Sequence, residues 1–469
     1  MYNSKLYELF NTLNESEKRN LKKWVRSPFA NQKTEIILLF DFLLSRKAYS
    51  LTTLNRYKVW SFVFPDEKFE DTKFRLLCSQ SLKTLENLLL YLFQQKKSIE
   101  QKLALSEIYQ EKQLKNTAAS YLTEVEDKLK EKAQSNGELF LEQYHFQLAK
   151  FKFDGTEARD QSTNLESILH HLNDFYIFEF LKHACSIISH QNVSNQRYII
   201  PQFDIVMNYL ENDKEQLKPS IFIYYNALLS LKNPTEIRHF DNLKKGLKTY
   251  ATHFNNNELK DLHLIAINFC IKSLNSGNKE RLNDLFEFYQ SALQLNLFVE
   301  HNELSRFTFR NIISCALQLN EYNWISTFIQ EYSPFLNEKY RQNQVNFNLA
   351  RLYFAKGLFE KTTPILLQED FGDPLLNLAA KTMLVKIYFE LKEWAILDAA
   401  LDSFSVFLNR QKQLAYHKSN YKNFIHFMKK MVRLNHDQLN LKKLEADIIA
   451  TNPLTEKKWL LNAITDLKN

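Results

Sequence analysis

The side chains that could bind a metal ion or act as nucleophiles include four cysteines and twelve histidines, spread over 469 residues. The cysteines form no CxxC pair of the kind that a zinc site or a thioredoxin-like motif requires. His170 and His171 are adjacent, so on a helix they point in different directions and are poorly placed to share a metal. No HExxH sequence is present. We therefore predict no metal site. The cysteines are Cys78, Cys185, Cys270 and Cys315.

Neighbouring carboxylates could act as a general acid and base, and two such groups occur, at residues 66–67 and 124–127. Both lie in lysine-rich polar stretches, where solvated side chains are the simpler interpretation. Nucleophilic catalysis would need a Ser or Cys beside a base, and nothing in the linear sequence singles one out. We predict that the protein is not an enzyme and needs no cofactor.

Glycine is scarce, with six in the whole chain and none closer than fifteen residues to another. The phosphate-binding loop, the dinucleotide fingerprint and the hydrolase nucleophile elbow all need clustered glycines, so these sites are excluded. Hairpin-rich β folds also need glycine in their tight turns. No segment shows a sustained alternation of polar and apolar residues, and no strand is predicted. The sequence predicts an all-α protein.

The charge is unevenly distributed. Residues 1–100 hold 17 Lys and Arg against 11 Asp and Glu, a net of +6, and residues 411–469 are also +6. The middle, 101–410, carries a net of −5. An ordinary lysine-rich helical surface explains the basic ends most simply. The alternative is a nucleic-acid-linked regulator in which residues 1–100 contact DNA or RNA.

Residues 1–20 alternate polar and apolar side chains and lack the apolar run of a signal peptide. The longest dense apolar run, Leu88 to Phe93, is far too short to cross a bilayer. These features favour a cytoplasmic protein with no membrane partner. They do not indicate an oligomeric state.

The first hundred residues indicate a helical module of their own. Asn14 followed by Glu17 resembles a helix-capping box, which predicts that a helix begins here. This helix must end near Ser27, because Pro28 disfavours helical geometry in the residue before it. Four leucines are spaced three, four and three residues apart, which places them on one face of a later helix. They are Leu82, Leu85, Leu89 and Leu92.

An internal repeat is the strongest pattern in the chain. The segments 311–322 (NIISCALQLNEY), 348–359 (NLARLYFAKGLF) and 383–394 (MLVKIYFELKEW) align with offsets of 37 and 35 residues. Their shared position near the end suits a left-handed, helix-terminating residue, and an aromatic residue follows two positions later to begin the next helix. The shared turn position holds Asn320, Gly357 and Lys392, and the aromatic residues are Tyr322, Phe359 and Trp394. An earlier unit is predicted to turn at Gly277.

This pattern resembles tetratricopeptide repeats, which are helix-turn-helix units of 34 residues. Thr362 and Leu397 depart from the small residue expected early in the second helix, and the usual terminal proline is absent or displaced. The resemblance implies an α-solenoid, with repeats over 257–450. Before them we predict an N-terminal helical module over 1–100 and irregular helical pairs over 101–256. A C-terminal capping helix is predicted over 451–469.

Stacked helix pairs present a concave surface lined by the first helix of each pair. Arg310, Arg351 and Lys386 occupy first-helix positions that tetratricopeptide repeats often turn toward that surface. Three cations there could receive an acidic peptide or a C-terminal carboxylate. The leading prediction is therefore a non-catalytic interaction scaffold that binds a protein or peptide on its concave face.

The ends of the chain carry a second resemblance. The segments 27–31 (SPFAN), 63–75 (VFPDEKFEDTKFR) and 452–461 (NPLTEKKWLL) are similar to motifs of an uncharacterised bacterial helical family of Bacteroidetes type. The resemblance implies a bacterial cytosolic protein and no particular chemistry. The motifs themselves predict, in this order, a turn at a proline, the start of a helix and a C-terminal capping helix.

A helical ribonuclease is the third reading. Ribonucleases of the HEPN type carry an Arg followed by a His a few residues later on a helix that lines a dimer cleft. Arg410 and His417 resemble that loose spacing on a basic segment, with Gln411 only approximating the polar residue that the family favours. This alternative ranks below both the scaffold and the nucleic-acid regulator.

Overall fold

The computed structural model describes residues 1–45, 54–132, 135–155, 163–194, 196–368, 370–411, 415–434 and 438–468. Within these ranges the chain forms 23 α-helices, two single-turn 3₁₀ helices and one pair of two-residue strands. The all-α prediction is confirmed. The chain divides into two compact units, unit 1 (Met1–Glu179) and unit 2 (Phe180–Asn469).

Unit 1 is built from the first helices of the chain. They are α1 (Lys5–Asn11), α2 (Glu15–Trp24), α3 (Thr34–Leu44), α4 (Arg56–Val63), α5 (Asp71–Lys96), α6 (Ser98–Glu111), α7 (Lys115–Glu131), α8 (Gly137–Asp154) and the first part of α9 (Leu165–Val193). Helices α1 to α5 enclose one apolar core, in which Leu21, Phe40 and Leu85 are fully buried. Helices α6 to α8 enclose a smaller core around Val125.

Local signals in unit 1 act as the sequence predicts. The side chain of Asn14 accepts hydrogen bonds from the backbone of Ser16 and Glu17, and the Glu17 carboxylate accepts one from the backbone N–H of Asn14, which completes the capping box. Leu85 is buried in the core, and the other three leucines of its predicted face pack against it. The helix that begins at Glu15 ends at Trp24, three residues before the predicted stop, and continues as tight turns up to Pro28.

Unit 2 continues from the end of α9 and consists mainly of helix pairs. The helices are α10 (Phe203–Asn212), α11 (Pro219–Lys232), α12 (Ile237–Tyr250), α13 (Asn256–Asn275), α14 (Arg281–Gln294), α15 (Arg306–Gln318), α16 (Tyr322–Tyr332), α17 (Glu338–Ala355), α18 (Phe359–Gln368), α19 (Pro374–Glu390), α20 (Trp394–Arg410), α21 (Ala415–Arg433), α22 (Gln438–Ala450) and α23 (Lys457–Lys468). The 3₁₀ helices are Ala251–His253 and Ser333–Phe335.

Most helices that follow one another in unit 2 pack as hairpins, and the first helices of several neighbouring hairpins also touch. The hairpins are α11 with α12, α13 with α14, α15 with α16, α17 with α18 and α19 with α20. Between hairpins, α15 packs against α17, and α17 packs against α19. The last four hairpin helices share their core with the C-terminal helices, including the buried residues Leu397, Phe424 and Leu460.

The three aligned segments end in the same backbone motif. Asn320, Gly357 and Lys392 have φ values of 60°, 71° and 58°, so all three are left-handed, as the alignment predicts. At each turn the next N–H donates back to a carbonyl five residues earlier, at 2.9–3.0 Å. This is the Schellman hydrogen bond that terminates a helix. The predicted aromatic residues are the first residues of α16, α18 and α20, and Gly277 is likewise left-handed, at φ 96°.

One local feature differs from the sequence prediction, and one proline lies inside a helix. A small antiparallel hairpin joins strands β1 (Val299–Glu300) and β2 (Glu303–Leu304), where no strand was predicted. Its turn is formed by His301 and Asn302, both with positive φ, so a two-residue turn forms here without glycine. Pro364 lies inside α18, where its missing N–H removes one helical hydrogen bond.

Candidate functional site

The three predicted partner-binding residues line one cavity. Arg310 is on α15, Arg351 on α17 and Lys386 on α19, the first helices of three consecutive hairpins. The cavity has a volume of about 520 Å³, and we call it the cationic cavity. Ligand sites commonly fall in the range of about 300–1,000 Å³, so it has room for one or two amino-acid residues.

The repeat explains how these cations meet. In the alignment Arg351 and Lys386 hold equivalent positions, and the equivalent residue of the preceding segment is Ser314. Arg310 lies four residues before Ser314, about one helical turn earlier. Because the first helices of the hairpins pack side by side, these positions face one shared space.

Arg351 is held by neutral partners. Its Nη1 donates to the side-chain oxygen of Asn348 at 3.2 Å, and its Nη2 donates to the Ser314 hydroxyl at 2.9 Å. The guanidinium carbon lies 5.9 Å from the centre of the Phe347 ring. In the described part of the chain no carboxylate forms an ion pair with Arg351. It is therefore a cation that the protein positions without neutralising it.

The pKa of Arg351 also indicates a charge that is not neutralised. Burial, with a smaller contribution from the positive charge of Arg310, lowers the pKa of the Arg351 guanidinium to about 10. Removal from water destabilises the charged form, and a like charge does the same. The arginine is still protonated at neutral pH. An anion beside it would recover part of the lost solvation, so the cavity is prepared for negative charge.

Arg310 is only loosely compensated. Among the described residues it pairs with the carboxylate of Asp373, with Nη1 and Oδ2 3.9 Å apart. That carboxylate also accepts a hydrogen bond from the Leu375 backbone as the N-cap of α19. Burial lowers the pKa of Arg310, with a further contribution from Arg306, while Asp373 opposes the shift.

Lys386 is the most deeply placed of the three cations, with 8% of its surface exposed. Its ammonium donates to Oε2 of Glu456 at 3.0 Å. The same ammonium lies 5.1 Å from the Phe354 ring centre and 5.2 Å from that of Trp459. One carboxylate and two aromatic faces therefore satisfy this charge from inside the protein.

Apolar side chains complete the walls of the cationic cavity. Such walls would receive an aliphatic portion of a ligand, while the cations would receive a negative group. The arrangement suits the binding of a ligand that carries both kinds of group. The apolar lining includes Phe347, Phe354, Leu375, Leu376, Ala379 and Met383.

The structure does not test the ribonuclease alternative, because it describes the side chain of only one residue of the predicted pair. Arg410 is the exposed last residue of α20. The side chain of His417 lies outside the described residues, so the predicted pair stays a prediction.

Metal chemistry finds no support among the described residues, which contain no group of three or more His, Cys, Asp or Glu placed to hold an ion. His170 is exposed and faces Glu166 at 3.6 Å. The cysteines are free thiols, and burial raises the pKa of Cys270 and of Cys315 to about 12. These two thiols therefore stay protonated and unreactive at neutral pH.

The basic surface of unit 1 is partly neutralised by its own carboxylates. Arg26 pairs with Asp41 at 2.7 Å, and Arg56 pairs with Asp71 at 2.8 Å. Such pairs reduce the charge that a phosphate backbone would meet. None of the helices that the structure describes combines the length and apolar character of a membrane span.

Comparison of the chain with family models, with curated proteins and with solved structures found no significant match. The candidate site therefore depends on the geometry of the cationic cavity and on the repeat that builds it.

Proposed function

We propose that the protein is a non-catalytic interaction scaffold that binds a carboxylate of a peptide or protein partner in the cationic cavity. In this proposal the hairpins of unit 2 are diverged tetratricopeptide-like repeats stacked as a solenoid, and the cavity lies on its concave face. We further propose that the protein acts in the cytoplasm of a bacterium.

One observation carries the proposal. Arg351 is a positioned cation with neutral hydrogen-bond partners, in a cavity that also holds apolar walls. Burying a charge without a counter-ion costs free energy, which an incoming anion would offset. A carboxylate fits the planar guanidinium well, because two of its N–H groups can point at the two oxygens.

The partner's carboxylate could be an acidic side chain or a chain terminus, and the experiment separates these sources. The full-length protein is immobilised and exposed to two pools of random hexapeptides, one with free and one with amidated C-termini. We expect carboxylate-bearing peptides to be enriched over the input, and the pool that supplies them identifies the source.

The matched control for Arg351 is a cation on the neighbouring first helix, α19, that does not line the cavity. Lys381 on α19 is half-buried, has no ion pair among the described residues and lies 5.2 Å from the Phe407 ring centre. Enrichment should be lost in Arg351→Gln and retained in Lys381→Gln. Equal enrichment on all three proteins, or none on the wild type, would contradict the proposal.

A further inference from the structure

Glu456 is the only carboxylate among the described residues that line the cationic cavity. It stands immediately before α23 and reaches Lys386, seventy residues earlier in the chain. Its backbone has a φ of 57°, in the left-handed region that a residue with a side chain rarely adopts. The chain therefore holds this carboxylate in a conformation that is unfavourable for a glutamate.

The segment that carries Glu456 is anchored on both sides. Asn423 donates to the Pro453 carbonyl at 2.8 Å, and Lys457 donates to the Ile449 carbonyl at 2.6 Å. After Glu456, Leu460 is fully buried and Trp459 packs edge-on against Phe389. The backbone of Glu456 is thus anchored on both sides, and from it the partly exposed side chain reaches Lys386.

The three cations of the cavity are neutralised to different extents. Lys386 is neutralised by Glu456, and Arg310 is loosely compensated by Asp373. Arg351 is left with neutral partners only. A ligand with one negative charge would complete this set. A second negative charge would find no free cation at Lys386 and would be repelled by Glu456.

Accordingly, we infer that Glu456 is a specificity-determining residue which, by neutralising Lys386, restricts the cationic cavity to ligand groups with a single negative charge. The inference rests on the proposed carboxylate-binding function, and it adds the charge class of the ligand.

The test uses two small probes of similar length, the monoanion butyrate and the dianion succinate, with the full-length protein at constant ionic strength. An anion that binds only the folded state raises the unfolding temperature in proportion to its occupancy, which gives an apparent dissociation constant. In the wild type we expect butyrate to bind at least as tightly as succinate. In Glu456→Gln, succinate should bind at least about tenfold more tightly than in the wild type, because Lys386 becomes available.

Two further variants separate specificity from simple damage. Glu445→Gln removes a carboxylate of similar exposure, 35% against 38%, that pairs with Lys468 away from the cavity, and it should retain the wild-type preference. The double variant of Lys386→Met with Glu456→Gln removes both charges and should return to the wild-type ratio. If Glu456→Gln alone fails to fold, the wild type still tests the inference, because succinate binding to it more tightly than butyrate would contradict the role of Glu456.

The two possible failures look different. In the first, butyrate stabilises the wild type, but the ratio of the butyrate and succinate dissociation constants is the same in Glu456→Gln. The specificity role inferred for Glu456 is then contradicted, and the proposed function stands. If neither anion stabilises any of the four proteins, carboxylate binding in the cavity is itself contradicted.

Discussion

The guanidinium of Arg351 lies 2.9 Å from the hydroxyl of Ser314, and the two residues hold equivalent positions in consecutive helix hairpins. A repeat that stacks its first helices side by side brings equivalent positions into contact. The same hydroxyl donates to the Arg310 carbonyl at 2.7 Å, which leaves its oxygen free to accept from Arg351. This link between hairpins holds the unneutralised cation in the cavity.

Replacing Arg351 with glutamine should weaken carboxylate binding at least tenfold, because a hydrogen bond to a charged group contributes about 1.5–3 kcal/mol. Calorimetric titration of an enriched peptide into Arg351→Gln, Lys381→Gln and wild type measures the loss. The affinity of Arg351→Lys, which keeps the charge but not the planar guanidinium, should lie between those of Arg351→Gln and the wild type. Wild-type affinity in Arg351→Gln would contradict the role of this residue.

Gly357→Val should destabilise unit 2 by about 1–3 kcal/mol, because valine is strained at the φ of 71° that this turn requires. An added Cβ would meet no atom within 4 Å, so any loss comes from backbone strain and not from a clash. Lys392→Gly, at the equivalent left-handed position, is the control and should be neutral or mildly stabilising. Chemical denaturation measures both changes.

Hydrogen exchange on Gly357→Val tests the repeat assignment. A solenoid distributes stability through contacts between neighbouring hairpins, so protection should be lost first around α17 and α18. Residues 1–100 should keep their protection. A uniform loss along the whole chain would indicate one cooperative core and would contradict the stacked repeats.

His263 should make unit 2 less stable in acid. Its Nδ1 donates to the Leu259 carbonyl at 2.8 Å, and its Nε2 lies 3.1 Å from the Ser291 hydroxyl, which can donate to it when the ring is neutral. Burial lowers its pKa, while the hydrogen bond to Leu259 opposes the shift. Between the lower folded pKa and the unfolded value of about 6.5, the unfolded state binds more protons. The stability that the neutral ring provides is complete above pH 6.5 and is lost as the pH falls through the folded pKa.

Unfolding free energies measured between pH 8 and pH 5 check this sign. His263→Asn keeps a donor for the Leu259 carbonyl, in the way that Asn226 and Asn348 each donate to a carbonyl four residues earlier. Its stability should fall less steeply below pH 6.5 than that of the wild type. His170→Asn, at an exposed site, should follow the wild-type curve. Parallel curves for all three proteins would exclude a contribution from His263.

The protein should not bind duplex DNA or RNA more tightly than the non-specific micromolar range at physiological salt. Several basic side chains of unit 1 are already paired with carboxylates, as Arg26 is with Asp41. Fluorescence anisotropy over a salt series measures this directly. Tight binding that falls steeply with salt and is lost when Lys and Arg of residues 1–100 are neutralised would favour the nucleic-acid regulator.

Local signals account for the parts of the fold that the sequence predicts correctly. The capping box at Asn14 and the left-handed turns at Asn320, Gly357 and Lys392 depend on a few adjacent residues, so pattern alone identifies them. The turn at Gln113 has the same backbone geometry, but it holds no glycine or asparagine and lies outside the aligned segments, so the sequence does not predict it.

The candidate site was likewise predictable only in part. The alignment identifies Arg310, Arg351 and Lys386, because the repeat period fixes which face of each helix they share. Their partners depend on tertiary packing and could not be predicted. Glu456 reaches Lys386 from seventy residues away, and Asp373, the N-cap of α19, belongs to the second hairpin after that of its partner Arg310.

The most direct test of the account is whether a carboxylate occupies the cationic cavity, and a methionine methyl group reports on it. Met383 lines the cavity and is one of five methionines in the chain, while Met207 lies on α10 and outside it. The full-length protein with ¹³C-methyl methionine is titrated with a capped tripeptide of glutamate between two leucines. We expect the Met383 signal to shift and saturate, the Met207 signal to stay fixed, and the glutamine counterpart to have no effect. An unmoved Met383 signal, or an equal response to the glutamine peptide, would contradict carboxylate binding in this cavity.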